Sequence, residues 1–183
     1  MRIISGKYGG RKIQPVPGNR TRPTTDKVRE SLFNMIGPYF DGGNFLDLFA
    51  GSGAVAIEAV SRGMKRAVLV DHQYAAYKTI KRNVQISNNE NSDFMIWKID
   101  AERAIKKLTD QNEKFDYIFL DPPYAKQQMI KQLSEINNYD LLNVDGLVIC
   151  ETDNQTEIGE VDGYRLMRKK SYGLTIITIY QKI

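Results

Sequence analysis

Asp47-Leu-Phe-Ala-Gly51-Ser-Gly53-Ala-Val-Ala56 reads as the end of a strand, a glycine turn and the start of a helix. The residues before it, Asn44–Leu48, are short and apolar, and those after it, Ala54–Arg62, have helical length and composition. Outward from this unit the same alternation repeats. Candidate strands are Ala67–Asp71, Phe94–Ile99, Phe115–Leu120 and Leu147–Glu151, with helical segments Gln73–Ser87, Ala101–Asp110 and Lys126–Asn137 between them. Parallel strands need crossover connections, so the pattern predicts an α/β fold, a parallel sheet covered by helices on both faces.

The two ends depart from this alternation. Thr24–Phe40 places Val28, Leu32, Phe33, Met35, Ile36 and Phe40 near 3.6-residue spacing behind Pro23, which predicts an additional helix over 24–40. At the other end, Gly173 alone separates the strand-like runs Tyr164–Tyr172 and Leu174–Gln181. One residue cannot carry a crossover helix, so these runs are expected to pair antiparallel as a hairpin.

A chain of 183 residues with 42% hydrophobic content fits one domain over 1–183, carrying a basic arm or hairpin over 1–22. No apolar run approaches the ~18 residues that span a bilayer, and Met1-Arg-Ile-Ile-Ser5 is too short for a signal peptide, so the expected location is cytoplasmic and away from membranes. The single cysteine, Cys150, lies in an apolar strand run, which excludes an internal disulfide and a cysteine metal cage; no metal is expected. Net charge is +4 overall, yet residues 1–40 hold eight Lys/Arg against two acids, a local +6 that leaves about −2 for the rest. Cations among Gly and Pro, as in Gly6-Lys-Tyr-Gly-Gly-Arg-Lys12, suit a phosphate backbone, which rewards clustered cations by releasing counterions.

The glycine turn fits the G-x-G-x-x-G/A fingerprint, and Asp71 follows twenty residues after Gly51 at the end of the next strand. Dinucleotides and S-adenosylmethionine both set an adenosine against such a turn, and an acid at that spacing can bond the ribose of either. Asp47 favours the second ligand: a carboxylate beneath the turn would repel a pyrophosphate but attract a cationic amino group and a sulfonium. Candidate cofactor contacts are therefore Asp47, Phe49, Gly51, Gly53 and Asp71, with His72 beside that acid at the rim rather than as a catalyst. Asp100, ahead of the helix that starts at Ala101, can hold the adenine amino group, cap that helix, or do both, and Asp100 and Ala101 join the candidate cofactor contacts.

Asp121-Pro-Pro-Tyr124 leaves the carboxyl end of the strand Phe115–Leu120, the edge where open α/β sheets bind ligands. Each residue before a proline is pushed toward extended geometry, which fixes Asp121 and Pro122, and Pro122 and Pro123 offer no N–H. The Asp121 carboxylate and the Pro122 carbonyl are then acceptors for the two protons of an amine, and Tyr124 can stack on a planar base swung out of its helix. Together with the turn seventy residues earlier, this points to methylation of an exocyclic amine.

In this order of motifs the chain resembles the RsmD family, ribosomal RNA guanine-N2 methyltransferases acting on the small subunit. The resemblance rests on Arg2-Ile-Ile-Ser-Gly6 with Gly10-Arg-Lys12, on Arg22-Pro-Thr-Thr-Asp-Lys-Val-Arg-Glu-Ser-Leu-Phe-Asn34, on the two motifs above and on Tyr172-Gly-Leu-Thr175. It implies a class I S-adenosylmethionine-dependent methyltransferase fold, Rossmann-like, with a seven-stranded, mostly parallel sheet of order 3-2-1-4-5-7-6 and an antiparallel last strand. It also implies guanine N2 as acceptor, and 16S ribosomal RNA, the small ribosomal subunit or its assembly intermediate as partner. Within that reading Thr25 and Arg29 lie near the methionine end of the cofactor, with a surface pair to Asp26 or Glu30 as the alternative for Arg29, and Arg2, Lys7, Arg11 and Arg22 meet phosphates. Tyr8-Gly-Gly10 departs from relatives that carry a tryptophan and an arginine there. Competing readings are a DNA adenine-N6 methyltransferase, which usually needs a separate target-recognition region, a release-factor-type glutamine methyltransferase, which would show Asn in place of Asp121, and a non-catalytic RNA-binding protein on a nucleotide-binding fold.

Overall fold

A computed structural model describes residues 1–18, 24–123 and 125–183, which divide into two compact units, Met1–Asp100 and Ala101–Ile183. In the first unit β1 (Asn44–Asp47), β2 (Arg66–Val70) and β3 (Phe94–Trp97) pair in parallel, with Phe45 opposite Ala67 and Leu69 opposite Ile96. Strands covered on both faces carry no polar alternation, and Phe45, Leu46 and Ala67–Val70 are all fully buried. Helix α2 (Ala54–Ser61) is buried at every position, the mark of a helix that packs all round rather than along one stripe.

Helix α1 (Asp26–Ile36) starts at the expected threonine, whose Oγ1 accepts a hydrogen bond from the Val28 N–H at 3.3 Å. It stops four residues short of the expected Phe40. The Gly37 N–H closes the last turn on the Phe33 carbonyl at 2.8 Å, and Pro38 has no N–H with which to continue. Phe40 nonetheless stays with the helix face, its ring edge-on to Phe33 at 6.2 Å. The segment expected as one helix over Gln73–Ser87 is α3 (Tyr74–Asn83) followed by a 3₁₀ turn, Val84–Ile86, and a short α4 (Glu90–Asp93) precedes β3, which ends at Trp97 rather than Ile99.

The basic arm is a hairpin docked on this unit. Arg2 bridges Lys12, and the Ile3 N–H reaches the Arg11 carbonyl at 2.9 Å. Ile3, Tyr8 and Ile13 are its buried anchors. Gly6 sits at φ +83° so close to α2 that a Cβ would stand 1.8 Å from the Ser61 carbonyl oxygen, which accepts from the Lys7 N–H at 2.8 Å.

In the second unit α5 (Ala101–Asp110) precedes β4 (Phe115–Leu120), and α6 (Ala125–Asn138) precedes β5 (Leu142–Asp153), which pairs in parallel with β4. β5 begins five residues earlier than expected. Its first part carries an irregular register against β4 around Asp145, at φ +62°, and a strand so broken shows little period. The hairpin is β6 (Tyr164–Tyr172) and β7 (Thr175–Lys182), antiparallel to each other, with β7 also antiparallel to β5. Over the whole sheet the strands run β3-β2-β1-β4-β5-β7-β6, the order of the class I methyltransferase fold.

Candidate active site

The glycine turn joins β1 to α2 in the first unit. Asp47, 1% exposed, ends β1, and its Oδ1 accepts from the Phe49 N–H at 3.3 Å. The Ala50 N–H ties the turn to the Val70 carbonyl at 2.9 Å and the Gly53 N–H closes on the Ala50 carbonyl at 2.7 Å. Both glycines have positive φ, +54° at Gly51 and +81° at Gly53, where a Cβ is strained. Their surroundings differ. A Cβ on Gly53 would meet Leu69 Cδ2 at 3.1 Å, so this glycine serves the packing of α2 against β2, whereas nothing lies within 4 Å of a Cβ built on Gly51. Gly51 thus presents bare backbone on an open face.

Asp71 holds the turn from the end of β2. Its Oδ2 accepts from the Gly51 N–H at 3.0 Å and its Oδ1 from the Gln73 N–H at 2.9 Å. Each carboxylate oxygen keeps a further acceptor site for a ligand hydroxyl. His72 is exposed, with Nδ1 4.0 Å from Asp71 Oδ1, and Asp100 is exposed immediately before the buried Ala101 that opens α5. In the second unit, Asp121 follows the buried end of β4 and is exposed, with Pro122 buried behind it and Pro123 exposed. Tyr124 and Arg22 lie outside the described residues.

Thr25 and Arg29 occupy structural positions. Thr25 is the N-cap of α1. The sequence left Arg29 as a cofactor contact or a surface pair; the structure places it at 0% exposure. Its Nη2 donates to Asp26 Oδ1 at 3.0 Å and to the Arg2 carbonyl, and its Nε lies 3.5 Å from Glu58 Oε2. Glu58, also fully buried, accepts from the Ile4 N–H at 2.8 Å, the Ser5 N–H at 3.0 Å and Arg62 Nε at 2.8 Å. One carboxylate therefore gathers the arm, α1 and α2.

The arm's cations are partly engaged. Lys7 Nζ lies 3.3 Å from Asp93 Oδ2 and 4.8 Å from the centre of the Tyr8 ring, and Arg11 Nη1 donates to the Ile86 carbonyl. Arg2 pairs with Asp26 at 3.7 Å across solvent. Burial alone would raise the Asp93 carboxyl, but the Ser87 hydroxyl and the Lys7 ammonium outweigh it and hold the group below its ordinary value.

Two residues escaped the sequence reading. Glu58 was signalled by its position, a lone carboxylate in the otherwise apolar Ala54-Val-Ala-Ile-Glu-Ala-Val60 with an arginine four residues on. Asn83 had no such signal. Buried at the end of α3, it accepts from the Gln14 N–H at 2.8 Å and donates to the Gln14 carbonyl at 2.9 Å and the Ser52 carbonyl at 2.8 Å. It fastens the arm to the glycine turn. Among the described residues no group of His, Cys, Asp and Glu could hold a metal ion, and no helix is long and apolar enough to cross a membrane.

Comparison with known proteins bears on the whole of this arrangement. The chain is 46% identical over 183 residues to the Bacillus subtilis protein named "Putative rRNA methyltransferase YlbH", covering 100% of this chain and 99% of that one. Over 184 residues it is 31% identical to ribosomal RNA small subunit methyltransferase D of Haemophilus influenzae, covering 99% of this chain and 93% of the other. A solved structure described as a conserved hypothetical protein of Streptococcus pyogenes matches with a TM-score of 0.79 at 44% identity, over 85% of this chain and 96% of that one. The family described as conserved hypothetical protein 95 matches residues 1–181, a span that holds the arm, the glycine turn, the Asp-Pro-Pro segment and the terminal hairpin, and the chain belongs to that family, the RsmD family.

Proposed function

We propose that the protein transfers a methyl group from S-adenosylmethionine to the exocyclic N2 of a guanine in small-subunit ribosomal RNA. The observation that carries this reading is the Asp121-Pro122 corner, an exposed carboxylate on a buried proline at the carboxyl end of β4, in a chain whose glycine turn offers an open cradle at Gly51. Relatives of the same family carry names that state ribosomal RNA and the small subunit, which supports the substrate class.

When bound, S-adenosylmethionine supplies an electrophilic methyl group on a sulfonium. The Gly51 backbone and the spare acceptor sites of Asp71 suit the adenosine end, Phe49, His72, Asp100 and Ala101 are further candidate contacts, and the buried Asp47 suits the methionine amino group. On the acceptor side the Asp121 carboxylate and the Pro122 carbonyl each take one N–H of the guanine amine. Holding both protons localises the nitrogen lone pair that the base would otherwise delocalise and aims it at the methyl carbon. Transfer would leave the amine nitrogen cationic, and Asp121 would take the surplus proton or hand it to water.

Incubation with radiolabelled S-adenosylmethionine and, separately, protein-free small-subunit RNA, small subunits, duplex DNA or a release factor tests the reading. Label in RNA, recovered as N2-methylguanosine after digestion, is expected. Label in DNA or protein alone would overturn it, and label nowhere would favour a binding protein without turnover.

A further inference from the structure

The terminal hairpin contains Tyr172-Gly-Leu-Thr175, a motif that neither the cofactor cradle nor the acceptor corner uses. On β6, Arg165, Arg168, Lys170 and Tyr172 are register partners of Gln181, Ile179, Ile177 and Thr175, which alternate along β7. A shift at Met167 keeps the four in step, so they line one face of the edge strand. Successive members stand about 6.8 Å apart, two residues of strand rise. The three cations are exposed, and Lys170 Nζ lies 5.2 Å from the centre of the Tyr172 ring.

What singles this row out is the absence of counter-charges. Elsewhere in the same unit four lysines meet carboxylates: Lys131 with Glu102 at 2.9 Å, Lys169 with Glu157 at 2.9 Å, and Lys114 and Lys182 with Asp140. Among the described residues none of Arg165, Arg168 and Lys170 makes an ion pair. Cations on an edge strand also discourage pairing with another chain, but that role needs neither one shared face nor an aromatic ring at its end.

The row also has a direction. β5 runs parallel to β4 and β7 antiparallel to β5, so β6 climbs toward the same end of the sheet as Leu120 and Asp121, with Tyr172 at the top. Three strand spacings separate β6 from β4, about 14 Å at 4.7–4.9 Å each. We infer that this face of β6 is a contact for the RNA backbone next to the acceptor corner, the three cations meeting successive phosphates and Tyr172 stacking on an unpaired base. This rests on the proposed RNA substrate, and it adds a second anchoring surface to the arm.

The test is the salt dependence of binding to protein-free small-subunit RNA, measured without turnover, for the full chain and for the triple substitution Arg165→Gln, Arg168→Gln, Lys170→Gln. Each phosphate contact contributes roughly one unit to the slope of log affinity against log salt, so the slope is expected to fall by about three. Tyr172→Ala should lower affinity several-fold with the slope unchanged. A thermal melt confirms folding, and were the triple variant unfolded, the single Lys170→Gln variant, with an expected drop of about one, decides instead. An unchanged slope in a folded variant overturns the inference. So does weaker binding to assembled subunits with unchanged binding to naked RNA, which would assign the face to a ribosomal protein. Because the slope needs no catalysis, a parent that binds RNA but labels none of it would sink the proposed reaction and leave this result standing.

Discussion

Gly51 and Gly53 share a left-handed backbone but not a neighbourhood, and substitution separates their roles. Alanine at Gly53 adds a contact at 3.1 Å from Leu69 to the cost of positive φ, so a stability loss of more than the ~1–2 kcal/mol of the backbone term is expected in denaturant titration. Alanine at Gly51 faces open space, so the backbone term alone should appear in stability, accompanied by a loss of S-adenosylmethionine affinity by calorimetry. Equal effects on cofactor binding at the two positions would show that the cradle does not lie at Gly51. Asp121 tests the acceptor side: Asp121→Ala should leave cofactor affinity intact and lower kcat by about 10²–10³, the usual loss on deleting a positioned electrostatic contact. Unchanged turnover would remove Asp121 from the mechanism. The positive φ of both glycines was legible in the sequence, because a bare strand-to-helix turn is a backbone solution that glycine supplies. For Arg29 the Asp26 partner was legible but the burial was not, because burial depends on a carboxylate 29 residues away in α2 that local spacing cannot reveal.

At the scale of elements, the arm is held by more than its charge. Ile3, Tyr8 and Ile13 dock it, and Glu58 binds its backbone from inside. Removing Glu58 would leave the Arg29 and Arg62 guanidiniums buried without their carboxylate, and Glu58→Ala should cost about 3–5 kcal/mol in global stability. The pairing of Lys7 with Asp93 predicts a pH dependence. Since the folded Asp93 carboxyl lies below its ordinary value of 3.8, the pairing contributes stability above that value and loses it as pH falls through the folded one. Asp140, held down to about 2 by hydrogen bonds from Lys114 and Lys182, acts in the same sense, its share fading between about pH 4 and 2. Asp93→Asn and Asp140→Asn should each flatten the acid limb of thermal stability, and a limb as steep as the parent's would assign acid unfolding to other groups. Strand β5 presents a difficulty of its own: Asn143-Val-Asp-Gly146 lacks the apolar run that marked Leu147–Glu151, and the structure accordingly has Val144 90% exposed and Asp145 at positive φ, although the chain is already strand there.

Over the whole molecule, the parallel sheet and its terminal reversal were legible because alternating strands and helices imply crossovers and the single glycine at 173 leaves no room for one, whereas the strand order came only through the resemblance to the RsmD family. Cys150, at the centre of β5, is buried with its thiol pushed well above the ordinary range. It should resist alkylation at pH 8 in the native protein and react only after unfolding; modification at native rates would contradict its burial. The last consequence belongs to Asn83. One amide spans Gln14 and Ser52, so constraint travels both ways: a ligand that steadies the turn lowers the cost of ordering the hairpin, and the reverse holds by the same increment. Saturation with S-adenosylmethionine should therefore slow deuterium uptake at the Gln14 amide, and Asn83→Ala should abolish that slowing. Loss of that slowing in the variant would show that one buried amide relays order from the turn to the arm.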